Sequence, residues 1–338
     1  MHGLANVKRI AAPVGTIGGI SLPTWNRLFL GVGLLIVLAV PFVLKNFYIF
    51  QITLAVIYAI AILGLNLLTG FNGQFSLGHS AFYAIGAYTA AIMMENMGIG
   101  YVWTIPVAAI VCFVFGFLFG LPALRLEGIY LALATFALAI AIPQVLKSSV
   151  LEHWTGGVQG IVIIKPDAPF GLPLNSDQWL YLFTIAVAIV MYACATSLVT
   201  SRTGRALIAI RDHPIAASAM GINVALYKSL TFGVSALYTG VAGALGAIAI
   251  GFVAPDSFTF VLAVALFVGL VVGGVASIPG TIVGGLFVLF VPNITQHFSK
   301  GLAGAVYGVI LLLVIYIMPA GFAGMMRLIT SRMVRHGR

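Results

Sequence analysis

Ten separable apolar runs constrain this chain more than any other feature of it. They lie near 28–44, 48–68, 81–97, 103–124, 128–146, 179–199, 229–252, 258–278, 281–297 and 303–319. A spanning helix needs about 20 mostly apolar residues. With 62% of 338 residues hydrophobic, about 210 side chains are available for such spans. Charged residues make up only 7% of the chain, against about 25% in ordinary soluble domains. A soluble enzyme, a disordered chain and a fibrous protein are excluded. A membrane β-barrel is excluded too, because barrel strands alternate apolar and polar positions whereas these runs are continuous. The expected fold is an all-α integral membrane protein with about ten transmembrane helices.

The net charge of +9 records topology. Lys8, Arg9 and Arg27 precede the first run, Arg125 lies in a short link, and Arg202, Arg205, Arg211 and Lys228 share one internal loop. Arg327, Arg332, Arg335 and Arg338 lie in the tail. Positive residues collect on the cytoplasmic side of membrane proteins. Ten crossings with both termini inside place all of these segments in the cytoplasm, so no nucleic-acid partner is expected. Residues 1–27 carry no apolar core with a cleavage site, so no cleaved signal is expected. They read as a cytoplasmic N-terminal segment, 28–319 as the transmembrane domain and 320–338 as a basic cytoplasmic tail. Cys112 and Cys194 sit alone in apolar runs and form no metal pattern.

Two connections are long: an outer loop at 147–178, rich in Gly and Pro, and an inner loop at 200–228. Between two spans lies the stretch 70–80, GFNGQFSLGHS. One reading is a broken or re-entrant helix lining a cavity; the other is a cytoplasmic turn with small residues for close packing. A second break, GGVASIPG at 273–280, carries the Pro279-Gly280 turn signal. Five spans on either side of the middle are compatible with an inverted repeat, but the halves do not match closely enough to show one.

The inner loop carries helix punctuation. Pro214 suits the first helical position, Asp212 or His213 stands at the cap, and Gly221 can end a helix in a left-handed conformation. A short helix over about 214–220 is expected, with Ala216, Ala217 and Ala219 small and Ile215 and Met220 large. So short a helix is not stable alone. It packs either on its own bundle or in a groove of a partner.

At this point the residues carry a resemblance. Residues 204–223, GRALIAIRDHPIAASAMGIN, resemble the ATPase-coupling loop of ABC-importer permeases, and more closely that of the branched-chain amino-acid uptake permeases. GFNGQFSLGHSAF at 70–82, RLEGIYLALAT at 125–135, TGGVQGI at 155–161 and the turn at 273–280 resemble that family's other motifs, in the family's order. The resemblance spans about 48–325.

The resemblance implies a permease subunit of the bacterial inner membrane, working with two ABC ATPase subunits, a second homologous permease and a periplasmic solute-binding protein. ATP would be used by the partner subunit, and this chain would bind no cofactor or metal. Relatives of this kind take up leucine, isoleucine and valine, and others urea, amides or aromatic acids, so the resemblance leaves the solute open. Gly204, Arg205, Arg211, Asp212, Pro214, Ala217 and Gly221 are the expected coupling residues. Simple retention of positive charge inside also explains the arginines. Asn72, Gln74, Ser76 and His79 are pathway candidates, since a zwitterionic solute needs hydrogen-bond donors; each of them also reads as a structural hydrogen-bonder.

No catalytic residue is expected. No Gly-Lys dipeptide of a P-loop and no His-Glu-x-x-His zinc motif occurs. The rival class is an ion-coupled secondary transporter, which usually carries ionisable groups inside the membrane. The seven acids, Glu95, Glu127, Glu152, Asp167, Asp177, Asp212 and Asp256, all fall at span ends or in loops.

Overall fold

A computed structural model describes residues 37–126, 128–169, 173–298, 303–318 and 321–325. Residues 1–27, most of the first run at 28–44, Glu127 and the tail beyond 325 lie outside the described residues. Residues 37–43 are helical and belong to a unit separate from the bundle, which begins at Leu44.

The bundle is helical almost throughout. Helix α1 (Asn46–Asn66) continues as a π-turn over Leu67–Phe71. It is followed by α2 (His79–Glu95), α3 (Tyr101–Ala123) and α4 (Ile129–Leu146). A single turn, α5 (Glu152–Thr155), leads to α6 (Ser176–Thr200), α7 (Arg202–Asp212) and α8 (Pro214–Ala219). Next come α9 (Val224–Ile250), a 3₁₀ turn at Pro255–Phe258, α10 (Phe260–Gly273), α11 (Gly280–Phe298) and α12 (Ala303–Ile317).

Among the described residues, six helices are long and apolar enough to cross a membrane: Asn46–Phe71, Tyr101–Ala123, Ile129–Leu146, Ser176–Thr200, Val224–Ile250 and Pro255–Gly273. The apolar runs at 81–97, 281–297 and 303–319 are also helical, as α2, α11 and α12. The run at 258–278 ends early. Helix α10 stops at Gly273 because Gly274 takes φ 109° and Ala276 φ 59°, neither of them helical.

Helices α1 and α9 form the centre. Their most apolar stretches are 78% and 83% buried, against 22% for α4 and α6, so the latter two are peripheral. The hydrophobic effect drives no helix pairing in lipid, so association depends on how closely backbones approach. Helix α9 supplies that approach through Gly233, Gly240, Gly243 and Gly246. Gly240 meets Gly86 of α2 on one side and Cys112 of α3 on the other. Gly116 and Gly120 of α3 meet Ala236 and Ser229, so α3 and α9 run antiparallel.

At one end of the bundle, two short strands, β1 (Ile161–Val162) and β2 (Phe252–Val253), pair antiparallel. The TGGVQGI motif feeds this pairing. Gly156, Gly157 and Gly160 all have positive φ, and a Cβ on Gly160 would collide with the Val253 carbonyl. Thr155 Oγ1 donates to the Leu146 carbonyl at 2.8 Å, tying the loop to α4. Lys147 pairs with Asp256, and Lys165 with Asp177, at this same end.

The opposite end carries α7 and α8. The 200–228 segment is thus two helices, not a loop with one. Ser201 Oγ accepts from the amides of Thr203 and Gly204 and caps α7. Ala206, Leu207 and Ile210 are buried on its inner face, at helical spacing. Gly204 permits the sharp α6–α7 corner, because a Cβ there would overlap the Val199 carbonyl.

Candidate functional site

The polar side chains inside the bundle concentrate where three breaks meet: the segment 72–78, the turn 274–279 and the C-terminal end of α7. The first break begins at the π-turn. Thr69 Oγ1 donates to the Gln74 carbonyl at 3.0 Å, and the Gln74 amide reaches back to the Leu68 carbonyl at 3.2 Å. The chain then climbs back into the bundle, so that α2 starts at His79, beside Gly64 of α1 and Ser235 of α9. Gly78 allows this climb against α4, since a Cβ would lie 2.7 Å from the Thr135 carbonyl. The Leu77 amide donates to Thr135 Oγ1 at 2.9 Å.

His79 is the hub of that return. Ser235 Oγ gives its proton to the Gly64 carbonyl at 2.6 Å, so it accepts from His79 Nε2–H at 2.7 Å. Nδ1 is then the acceptor for Ser76 Oγ–H at 3.1 Å. Both ring nitrogens are satisfied in one neutral tautomer, assigned from these partners. The ring joins α1, α2 and α9 in a single polar chain. Asn72 Nδ2 donates to Gln74 Oε1 at 2.7 Å, while Asn72 Oδ1 is buried with no partner among the described residues. The four residues Asn72, Gln74, Ser76 and His79 are all buried. Ser76 and His79 are engaged by the fold itself, and of the four Asn72 keeps a spare acceptor.

Asn66 clamps the second break. Its Oδ1 accepts from the Ala276 amide and its Nδ2 donates to the Ser277 carbonyl, both at 2.9 Å. Ala276 adopts positive φ, which costs an L-residue about 1 kcal/mol, and the paired hydrogen bonds to Asn66 hold it there. Gly70 packs into the same point, with room for no side chain between Asn66 Oδ1 and the Ala276 amide.

Arg211 reaches this cluster from α7. Its Nη1 donates to the Gly70 carbonyl at 2.9 Å, and its Nε pairs with Asp212 at 2.9 Å. Of the expected coupling residues, Arg211 therefore reaches the bundle through its guanidinium, while Asp212 stays exposed and pairs with it from the surface. Arg205 is exposed and its Nη1 reaches the Thr200 carbonyl at 3.4 Å. Helix α8 lies on the surface. Pro214 stands at its first position, with His213 as an N-cap that makes no side-chain bond. Only Ala217 faces inward, while Ile215 and Met220 are 86% and 83% exposed. Gly221, at φ 82°, ends α8: its amide bonds the Ser218 carbonyl and the Ile222 amide the Ala217 carbonyl, a Schellman motif.

Asn66, Ser235 and Thr135 escape a reading of the sequence, although a lone Asn within an apolar run is a signal. A polar side chain in a span must find a partner inside the protein. The Gly70 carbonyl, a backbone group, leaves no signal at all.

A family described as the permease component of branched-chain amino-acid transport systems matches residues 47–315. The LivM high-affinity branched-chain amino-acid transport permease protein of Salmonella typhimurium is 31% identical, over 95% of this chain and 80% of its own length. The Escherichia coli LivM protein is also 31% identical, over 89% and 76%. The Escherichia coli LivH permease protein is 27% identical, over 81% and 93%. No solved structure matches the chain. The matched span covers the elements that build the site, and the chain belongs to this family of branched-chain amino-acid transport permease components, which makes it a transport subunit rather than an enzyme.

Proposed function

We infer that the chain is the membrane-spanning subunit of an ATP-driven importer that carries branched-chain amino acids, or a closely related small polar solute, across the bacterial inner membrane. The α7–α8 end faces the cytoplasm and the β1–β2 end the periplasm. Two ATPase subunits sit beneath α8, a second permease of the same family completes the pathway, and a periplasmic binding protein delivers the solute to the strand end. The names of the relatives supply the solute class.

The observation that carries this reading is α8. It is punctuated at both ends, holds the bundle through Ala217, and leaves Ile215 and Met220 bare, directly after a helix that carries Arg202, Arg205 and Arg211. Large apolar side chains exposed at the polar end of a membrane bundle suit a partner's groove rather than water. Charge supports the orientation, with Arg202, Arg205 and Arg211 at the α7–α8 end. At the other end, Lys147 and Lys165 are each neutralised by a carboxylate.

Reconstitution of the whole complex in liposomes without ion gradients tests the reading. Uptake should require ATP inside with binding protein and solute outside. Uptake that runs on a sodium or proton gradient without ATP would overturn it in favour of an ion-coupled transporter. The described acids speak against that rival, since each lies at a helix end or in a loop.

A further inference from the structure

We propose that Arg211 and Asn66 form a strut that carries movement of the α7–α8 segment to both helix breaks at once, so that 72–78 and 274–279 shift as one unit during the transport cycle. The proposal rests on the ATP-driven reading above and adds the path by which the docking end reaches the interior.

The contacts are continuous. Gly73 has φ 76°, and a Cβ on it would lie 2.8 Å from Arg211 Cγ, so the first break is seated directly on the arginine's stem. The guanidinium then holds the Gly70 carbonyl at 2.9 Å. Gly70 abuts the Asn66 side chain, and a Cβ on it would lie 2.6 Å from the Ala276 amide nitrogen. Asn66 grips that amide and the Ser277 carbonyl through two hydrogen bonds. Arg211 is the one long side chain in this series, and its Nη1 is held by the Gly70 carbonyl. Arg211 is fixed at Nε by Asp212, and the remaining links are backbone or a doubly bonded amide.

The geometry also selects the residue types. A planar guanidinium can direct Nε to Asp212 and Nη1 to Gly70 at the same time, whereas a lysine ammonium is a single point of donation on a free stem. Asn supplies one acceptor and one donor from the same plane, which the Ala276 amide and Ser277 carbonyl require. Packed elements with fixed contacts shift between discrete arrangements and do not deform continuously. A push on α7 is therefore delivered to the Gly70 turn and, through Asn66, to the 274–279 turn.

Arg211 is on this account a positioning residue, and it touches neither solute nor ATPase. The test uses Arg211→Ala and Arg211→Lys in the complete reconstituted complex, with three readouts: ATPase co-purification, ATP hydrolysis, and solute taken up per ATP. Co-purification and hydrolysis should persist while uptake per ATP falls by about tenfold in Arg211→Ala, with Arg211→Lys intermediate. Lost co-purification would make Arg211 a docking contact and overturn the strut. Unchanged uptake per ATP would overturn it as well.

A second measurement needs no ATPase. A thiol at the exposed Val275, introduced as Val275→Cys with Cys194→Ser, should be labelled several times faster when Arg211→Ala is added. Equal labelling rates would show that the second break does not sense Arg211 and would sink the proposal, even if the complex proved not to be ATP-driven. Should Arg211→Ala fail to accumulate, the same comparison is made with Arg211→Lys.

Discussion

His79 Nε2 lies 2.7 Å from Ser235 Oγ, although 156 positions separate the two residues in the chain. The contact joins the start of α2 to the middle of α9 and, through the Gly64 carbonyl, to α1. By its sequence context His79 is a candidate for the solute pathway, and the structure places it as a cross-brace between three helices. His79→Ala should therefore lower stability, because the Ser76 hydroxyl loses its acceptor, Ser235 loses its donor, and a cavity opens beside Phe82. A loss of about 2–4 kcal/mol is expected, read as a lower unfolding temperature in detergent and reduced abundance. His79→Gln, which keeps a donor and an acceptor, should be milder. A His79→Ala protein of normal stability but altered solute affinity would return His79 to the pathway.

The Gly86–Gly240 approach makes a second prediction. A Cβ at Gly86 would come within 2.6 Å of the Gly240 carbonyl carbon. Backbone cannot yield as a flexible side chain can, so Gly86→Ala should separate α2 from α9 at a cost of about 1–3 kcal/mol. Gly100→Ala is the control, since nothing lies within 4 Å of that position. Thermal unfolding in detergent should show a lower transition for the first and leave the second near the parent.

Gly221→Val should act through the backbone alone. The site has open space around it, so no clash is created, but φ of 82° is strongly disfavoured for a β-branched residue. The Schellman closure is lost and the chain leaves α8 at another angle. Normal membrane abundance with weakened ATPase co-purification and lost uptake is expected. Gly221→Asn should retain much of the coupling, since Asn tolerates the left-handed region. Equal coupling in the Val and parent proteins would defeat the role given to α8.

Ile215→Asp with Met220→Asp tests the same helix from its exposed face. Neither side chain is packed in the bundle, so abundance and unfolding temperature should correspond to within about 0.5 kcal/mol of the parent. ATPase co-purification should fall sharply, because charge enters an apolar contact. Retained co-purification would exclude this face as the docking surface.

Orientation is checked by thiol labelling of intact cells. Thr155 is unsuitable, being buried with its hydroxyl on the Leu146 carbonyl. Val158, 64% exposed at the strand end, is the better position, and Thr203 represents the α7 end. Val158→Cys should react from outside, and Thr203→Cys only after permeabilisation. The reverse pattern would invert the topology.

Some of this protein is legible in its sequence because the physics is local. Burial in lipid demands long apolar helices whatever surrounds them, so the apolar runs at 48–68, 103–124, 128–146, 179–199 and 229–252 reappear as helices within a few residues. Pro214 and Gly221 bound α8 by their own backbone preferences, and Gly221 does take positive φ. Charge clusters follow the ends of helices for the same kind of reason. The break at 273–280 is legible in its small residues and Pro279-Gly280, and α10 does end at Gly273. The conformation inside the break is not, because Ala276 holds positive φ where Asn66 grips it, and Asn66 lies 210 positions away. Helix α7 reads as loop, since its buried face of Ala206, Leu207 and Ile210 has meaning only against the bundle it covers. The meeting of His79 with Ser235, of Arg211 with Gly70, and of TGGVQGI with β2 is likewise decided by tertiary structure. Which polar groups become partners depends on which helices pack side by side, and in a membrane that choice is made by small-residue contacts between distant segments.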